Sequence, residues 1–202
     1  MEHESEMTRA HDAAAASTAV ADAQAQVQRE QEGGDVLLQN APKLAPFTPS
    51  GDGVLAFAME LLQLSDQDVL FDLGCGDARI LVHAAQTSGA RCVGVEYNAE
   101  LVVKAKNRVL NHGIEDRVTI VHGDALQMDL ESATALFIYL VPQGIKMLLP
   151  KLEEARRKRV RIVTYVFSIP GWSYDDIRDF KGTKVYLYNS GPHTSSKDSE
   201  VA

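Results

Sequence analysis

The chain is short of several features that would narrow its function at once. Its 202 residues include two cysteines, Cys75 and Cys92. That excludes a disulfide framework, and no His/Cys/Asp/Glu grouping stands at metal-ligand spacing, so no metal site is expected. Few cysteines and no framework point to a reducing compartment, read here as the cytoplasm with the mitochondrion as the alternative. No apolar run approaches the length that spans a bilayer, so no transmembrane segment is expected. Cationic charge is scarce as well: 20 Lys and Arg face 28 Asp and Glu, for a net charge of −8. An extended nucleic-acid surface, which works by neutralising phosphates, is not expected on such a chain.

Large apolar side chains are sparse in the first forty residues, which are rich in Ala, Gln and Glu. Such a stretch cannot bury enough surface to offset the entropy of ordering, so residues 1–40 are expected to form a disordered or loosely helical tail. Glu2, Glu4, Glu6 and Asp12 argue against an Arg-rich mitochondrial presequence. Residues 41–190 are expected to form one domain with a sizeable core, and residues 191–202 a flexible polar tail.

What the chain does have is concentrated around Val69–Ile80. Val69, Leu70 and Phe71 read as a strand, Asp72-Leu-Gly-Cys-Gly-Asp77 as a glycine loop, and Arg79–Ser88 as a helix closed by Gly89. Strand, glycine loop and helix in that order open a doubly wound α/β domain, with the loop amides and helix N-terminus favouring an anionic group. The spacing Gly74-x-Gly76 fits both dinucleotides and S-adenosylmethionine (SAM). Position 79, where a dinucleotide fold needs a small residue, is Arg79. Carboxylates at Asp72 and Asp77 repel a pyrophosphate and suit the ammonium of an aminoacyl group. The loop therefore favours SAM, with Cys75 committed to it.

Later segments supply the rest of such a site. Cys92–Glu96 reads as a second strand ending in an acid about 20 residues after the loop, the separation expected of a ribose acceptor. Tyr97 follows, available to the adenine face. Val118–Asp124 is a third strand, with Asp124 placed for the adenine amino group and Ala125 beside it. Asn98 caps a helix running to about His112, and Lys104, Lys106 and Arg108 on it read as a solvated face. Ala133–Val141 reads as strand four and Gln143–Arg157 as a helix; the basic run over 151–161 reads as rim charge. Val160–Phe167 is strand five. The pair Asp176–Phe180 and Thr183–Tyr188 closes the sheet as a hairpin with an antiparallel C-terminal strand. The fold expected is α/β and Rossmann-like: a seven-stranded, mostly parallel sheet with helices on both faces.

With these motifs in place, the chain resembles the class I SAM-dependent methyltransferases from about Pro46 to Asn189. It is most similar to the group with Pro46-Phe-Thr-Pro49 before the first helix and Leu140-Val-Pro142 after strand four. That group includes the ATP-synthase c-subunit lysine methyltransferase and small bacterial relatives. The resemblance implies SAM as cofactor and a lid from the Pro-rich lead-in, where Thr48 and Ser50 would face the methionine end. It also implies a protein lysine as acceptor.

Elimination points the same way. Neither Cys75 nor Cys92 sits where a cytosine nucleophile would. Tyr139-Leu-Val-Pro142 replaces the Asn/Asp-Pro-Pro-aromatic motif that grips a planar amino group. Tyr139 can then orient an amine, with Pro142 at the edge of the site. Trp172 and Phe167 are candidates for an aromatic channel. His83, His112 and His122 read as structural or surface residues. A small metabolite or RNA remains the alternative acceptor, and a non-catalytic assembly or scaffold role the alternative to catalysis.

Overall fold

The computed structural model describes residues 44–46 and 52–189. The expected tails, Thr48, Phe47 and Ser50 lie outside the described residues. Within them the chain runs α1 (Asp52–Leu62), β1 (Val69–Leu73), α2 (Arg79–Ser88), β2 (Arg91–Glu96), α3 (Ala99–Asn111), β3 (Val118–His122), β4 (Ala135–Ile138), α4 (Pro142–Arg157), β5 (Arg161–Tyr165), β6 (Asp176–Phe180) and β7 (Thr183–Tyr188).

The strands form one seven-stranded sheet in the order β3-β2-β1-β4-β5-β7-β6. All neighbouring pairs up to β5 are parallel, and β7 runs antiparallel to both β5 and β6. Each βαβ step carries the chain outward from β1 to β3, and it then returns to lay β4 on β1's other side. That reversal opens a crevice at the carboxyl ends of β1 and β4, where ligands of such sheets bind.

The core divides by strand alternation, since successive side chains leave opposite faces. Leu70, Phe137 and Val163 pack with α1, α2 and α3; Phe71, Leu136, Ile138 and Ile162 pack with Ile145, Leu148 and Leu152 of α4. Both faces are thus covered, which is why β4 reads as an unbroken apolar run and β1 as one broken only by Asp72.

Helix ends follow their local chemistry. Asn98 accepts from the N–H groups of Glu100 and Leu101, so α3 starts there, and Gly89 ends α2 in the left-handed conformation. Strand β4 is shorter than its apolar run, because burial extends past the ladder to Ala133 and Leu140 while pairing does not. No helix among the described residues is long and apolar enough to cross a membrane.

Candidate functional site

The glycine loop is bound to the end of the neighbouring strand. Gly74 and Cys75 both donate their N–H groups to Val95 O (2.9 and 3.0 Å), and Gly76 N donates to Glu96 Oε2 at 2.9 Å. Gly74, Gly76 and Ala78 all have positive φ (106°, 55° and 61°), so the backbone folds back tightly before α2 begins. The expectation that these loop amides would receive an anion is corrected here: three of them are already spent within the protein. A pyrophosphate would find few donors, which strengthens the case for a cationic ligand group.

Asp72 explains what that cation would meet. It leaves β1 at the switch point with 4% of its surface exposed, and it lines the cleft. Among the described residues no donor or cation meets its carboxylate. Burial, then the nearby Glu96 and Asp77 charges, push its pKa well above the ordinary value. A buried carboxylate with no partner is costly unless a ligand supplies one.

Asp77 is different. Its Oδ1 accepts from Arg79 Nε at 2.9 Å, and its Oδ2 from Arg79 Nη2 and Arg108 Nη2 at 2.7 and 2.8 Å. Arg108 Nε also holds the Asp77 carbonyl at 2.8 Å. Burial would raise this carboxyl, but the Arg79 hydrogen bonds and the two guanidinium charges outweigh it and hold it below the usual range. With both oxygens engaged, Asp77 anchors the loop, whereas Asp72 has no such partner among the described residues. The same geometry places Arg108 away from a purely solvated face.

Glu96 is buried, with Oε1 accepting from Asn98 N at 2.8 Å and Oε2 from Gly76. Each oxygen keeps a lone pair for a hydroxyl. Asp124 lies in the same cleft wall, with Oδ1 accepting from Leu126 N at 2.9 Å, and Gly123 N tied to Glu96 O at 3.0 Å. Tyr97, Ala125 and Tyr139 complete the set that the structure brings together. Cys75 also lines the cleft, but burial, then the Asp72 and Glu96 charges, push its thiol well up; Cys92 is pushed to about 12, mainly by burial. Neither is a thiolate nucleophile near neutral pH. Among the described residues no group of three or more His, Cys, Asp or Glu is placed to hold a metal ion.

Two expected residues stand elsewhere. Pro142 is the first residue of α4, outside the cleft-lining set. Trp172 packs edge-on against Tyr188 (ring centroids 5.8 Å apart) and lies 4.4 Å from the Arg156 guanidinium. Tyr188 pairs with Ile162 at the start of β5, and Arg156 is in the last turn of α4. Both mark the amino edge of the sheet. The link from β5 to β6 must return there, because β6 runs parallel to β5, and it carries Trp172 away from the cleft.

The sequence reading missed part of the wall. Leu44 and Ala45 line the cleft beside Pro46, and a Cβ on Gly144 would collide with the Leu44 carbonyl oxygen. A glycine early in a helix was the available signal of that close approach. Gly94 plays the same part in β2, where a Cβ would meet Cys75 Sγ at 2.7 Å.

Comparison with known proteins agrees with this geometry. Residues 72–176 match the family described as the ANTKMT methyltransferase domain. A protein-lysine N-methyltransferase of Saccharolobus islandicus is 33% identical over 153 residues, which are 73% of this chain and 95% of that protein. The lysine N-methyltransferase of the ATP-synthase c-subunit from Xenopus laevis is 26% identical, over 76% of this chain and 67% of its own length. A crystal structure of an RNA methyltransferase from Salinibacter ruber, in complex with S-adenosyl-L-homocysteine, superposes with a TM-score of 0.69 at 33% identity. It covers 76% of this chain and all of that one.

Proposed function

This chain belongs to the ANTKMT methyltransferase-domain family, and on that premise we propose that it methylates the side-chain amine of a protein lysine. It is a SAM-dependent methyltransferase, and SAM, when bound, supplies a methyl group on a cationic sulfur. The residues present fit that cofactor. Asp72 meets the ammonium, and Glu96 accepts from the ribose hydroxyls through its remaining lone pairs. Asp124 takes the adenine amino group and Tyr97 lies against the ring. Gly74, Gly76 and Cys75 let the backbone come close, with Ala125 filling the adenine end.

The observation that carries the acceptor assignment is the mouth of the cleft. At the carboxyl end of β4 the chain presents Tyr139 and Leu140, then enters α4 at Pro142. No amide or carboxylate side chain stands between Tyr139 and Pro142 to grip a planar amino group. The Tyr139 hydroxyl, whose pKa is raised by burial and by Tyr165, stays neutral and can accept from an amine N–H while the nitrogen lone pair faces the methyl axis. The names of the Saccharolobus and Xenopus relatives support lysine; the name of the Salinibacter protein makes RNA the outcome to separate.

No histidine lines the cleft among the described residues. The amine, with an ordinary pKa near 10.4, must then arrive deprotonated, so transfer should accelerate as pH rises from about 7 to about 9, by up to roughly tenfold per unit. A flat profile would mean a general base or a different acceptor. Incubating the protein with radiolabelled SAM and a fractionated extract tests the assignment. Label in protein, released as methylated lysine on hydrolysis, is the expected result. Label in RNA or small molecules overturns the lysine reading, and SAM binding with label in no fraction indicates a non-catalytic role.

A further inference from the structure

Strands β4 and β5 pair with Ile138 opposite Thr164. The next residues, Tyr139 just past β4 and Tyr165 at the last position of β5, therefore stand side by side on one face at the carboxyl edge of the sheet. Their ring centroids are 4.5 Å apart at an interplanar angle of 57°. That is the short end of the range for aromatic pairs, and the tilt leaves no parallel slot in which a flat base would be sandwiched. Tyr139 lines the cleft and Tyr165 does not, so Tyr165 stands behind the ring that faces the reaction.

The backbone after Tyr165 is unusual. Val166 has φ of 71°, in the left-handed region that a β-branched residue rarely enters, and its N–H donates to Lys184 O of β7 at 2.8 Å. Glycine or asparagine would adopt this conformation at lower cost. The strained residue directly follows the carboxyl end of β5, the neighbour of β4, whose own end lines the cleft, and strain at such a place commonly serves geometry. Left-handed backbone directly after Tyr165 turns the chain out of the β5 direction, and the Lys184 bond pins that corner to the next strand.

We propose that the Tyr165–Val166 corner is a positioning device for the acceptor: it fixes the tilt of the Tyr139 ring, and through it the place of the incoming amine. Tyr165 acts through Tyr139 and is a positioning residue. The tilted ring then presents a π-face and a phenol oxygen together, which suits an aliphatic amine and its alkylammonium product. This rests on the amine reading given above, and its test is arranged so that the two can fail separately.

Three variants, Tyr165→Phe, Tyr165→Ala and Val166→Gly, would be assayed with poly-L-lysine as acceptor and by calorimetry with S-adenosylhomocysteine. Phe keeps the ring and should stay within threefold of the parent in kcat. Ala should lower kcat at least tenfold with the S-adenosylhomocysteine Kd changed less than twofold. Val166→Gly should raise the melting temperature by relieving strain and yet lower kcat several-fold, a combination that a merely structural residue would not give. Full kcat in both Tyr165→Ala and Val166→Gly overturns the proposal.

If the parent protein methylates no poly-L-lysine, the amine reading is what fails. The corner is then read from the Tyr139 ring resonances of the S-adenosylhomocysteine-bound protein by NMR. Tyr165→Ala and Val166→Gly must both shift them, and unshifted resonances overturn the proposal whatever the acceptor.

Discussion

Asp68 and Asp72 stand at opposite ends of the same strand, 9% and 4% exposed, and their surroundings are opposites. Asp68 precedes β1 at the amino edge. It accepts from Ser65 N at 2.8 Å and from Thr134 Oγ1 at 2.7 Å, and it is ion-paired with Arg161 of β5. Arg161 also donates to the Leu62 carbonyl at the end of α1, so one cluster ties α1, β1, β4 and β5 together. Burial would raise the Asp68 carboxyl, but the Thr134 and Ser65 hydrogen bonds and the Arg161 charge hold it below its ordinary value. Asp72, at the carboxyl edge, has no such partner among the described residues, and its pKa is well raised. One carboxylate is satisfied by the fold and the other, among the described residues, is not. Two acids at the two ends of β1 are told apart by what surrounds them, since residue type does not separate them.

The sharpest way to break this contrast is to remove each acid in turn. Asp68→Ala should cost about 3 kcal/mol of stability, since it removes the ion pair with Arg161 together with the acceptor of Ser65 N and Thr134 Oγ1, and should leave SAM affinity unchanged under native conditions. Urea unfolding and calorimetry would show it; an unchanged urea midpoint would remove Asp68 from the structural side. Asp72→Asn should do the reverse, weakening SAM binding at least a hundredfold, about 2.7 kcal/mol, with no loss of stability in the ligand-free protein. Retained binding would mean that the ammonium is held elsewhere.

The pH dependences should also run in opposite directions. Asp68, with a lowered folded pKa, contributes stability that is present above its unfolded value near 3.8 and is lost as pH falls through the folded value. Asp72, with a raised folded pKa, contributes a penalty that is absent below 3.8 and grows as pH rises toward its folded value. Asp72→Asn should therefore melt above the parent at about pH 8, with the difference closing near pH 4. SAM affinity of the parent should fall as pH drops below the raised pKa, by up to about tenfold per unit, because the carboxyl must ionise to pair. A smaller effect is expected from Arg108→Ala: freeing the Asp77 carbonyl and one carboxylate oxygen should loosen the loop and raise the SAM Kd about tenfold or less. No change there would show that Arg79 alone suffices.

Most of the architecture was legible because it rests on local signals. Asn98 and Gly89 mark helix ends through their own side chain or backbone freedom, and the two-residue alternation of 183–188 marks an antiparallel strand, although that strand lies between β5 and β6 and not at the sheet edge that its alternation suggests. The cleft-lining acids were legible for a topological reason: in a parallel sheet the residues just past each strand must gather at one edge. Contacts across long sequence separations were not legible. The grip of Arg108 on Asp77 joins residues 31 apart, and only the packing of α3 beside α2 brings them together. Trp172 was misplaced because an aromatic residue in a crossover carries no sign of which edge it will reach.

The sequence by itself determined that strands, glycine loop and acids would recur in an order fit for SAM, because periodicity and backbone freedom are properties of neighbouring residues. Only the tertiary structure decided which carboxylate lacks a partner among the described residues, which amides of the loop are spent, and which tyrosine backs the one that lines the cleft. Charge balance and ring packing depend on side chains brought together from distant strands, and such meetings exist only once the sheet has formed.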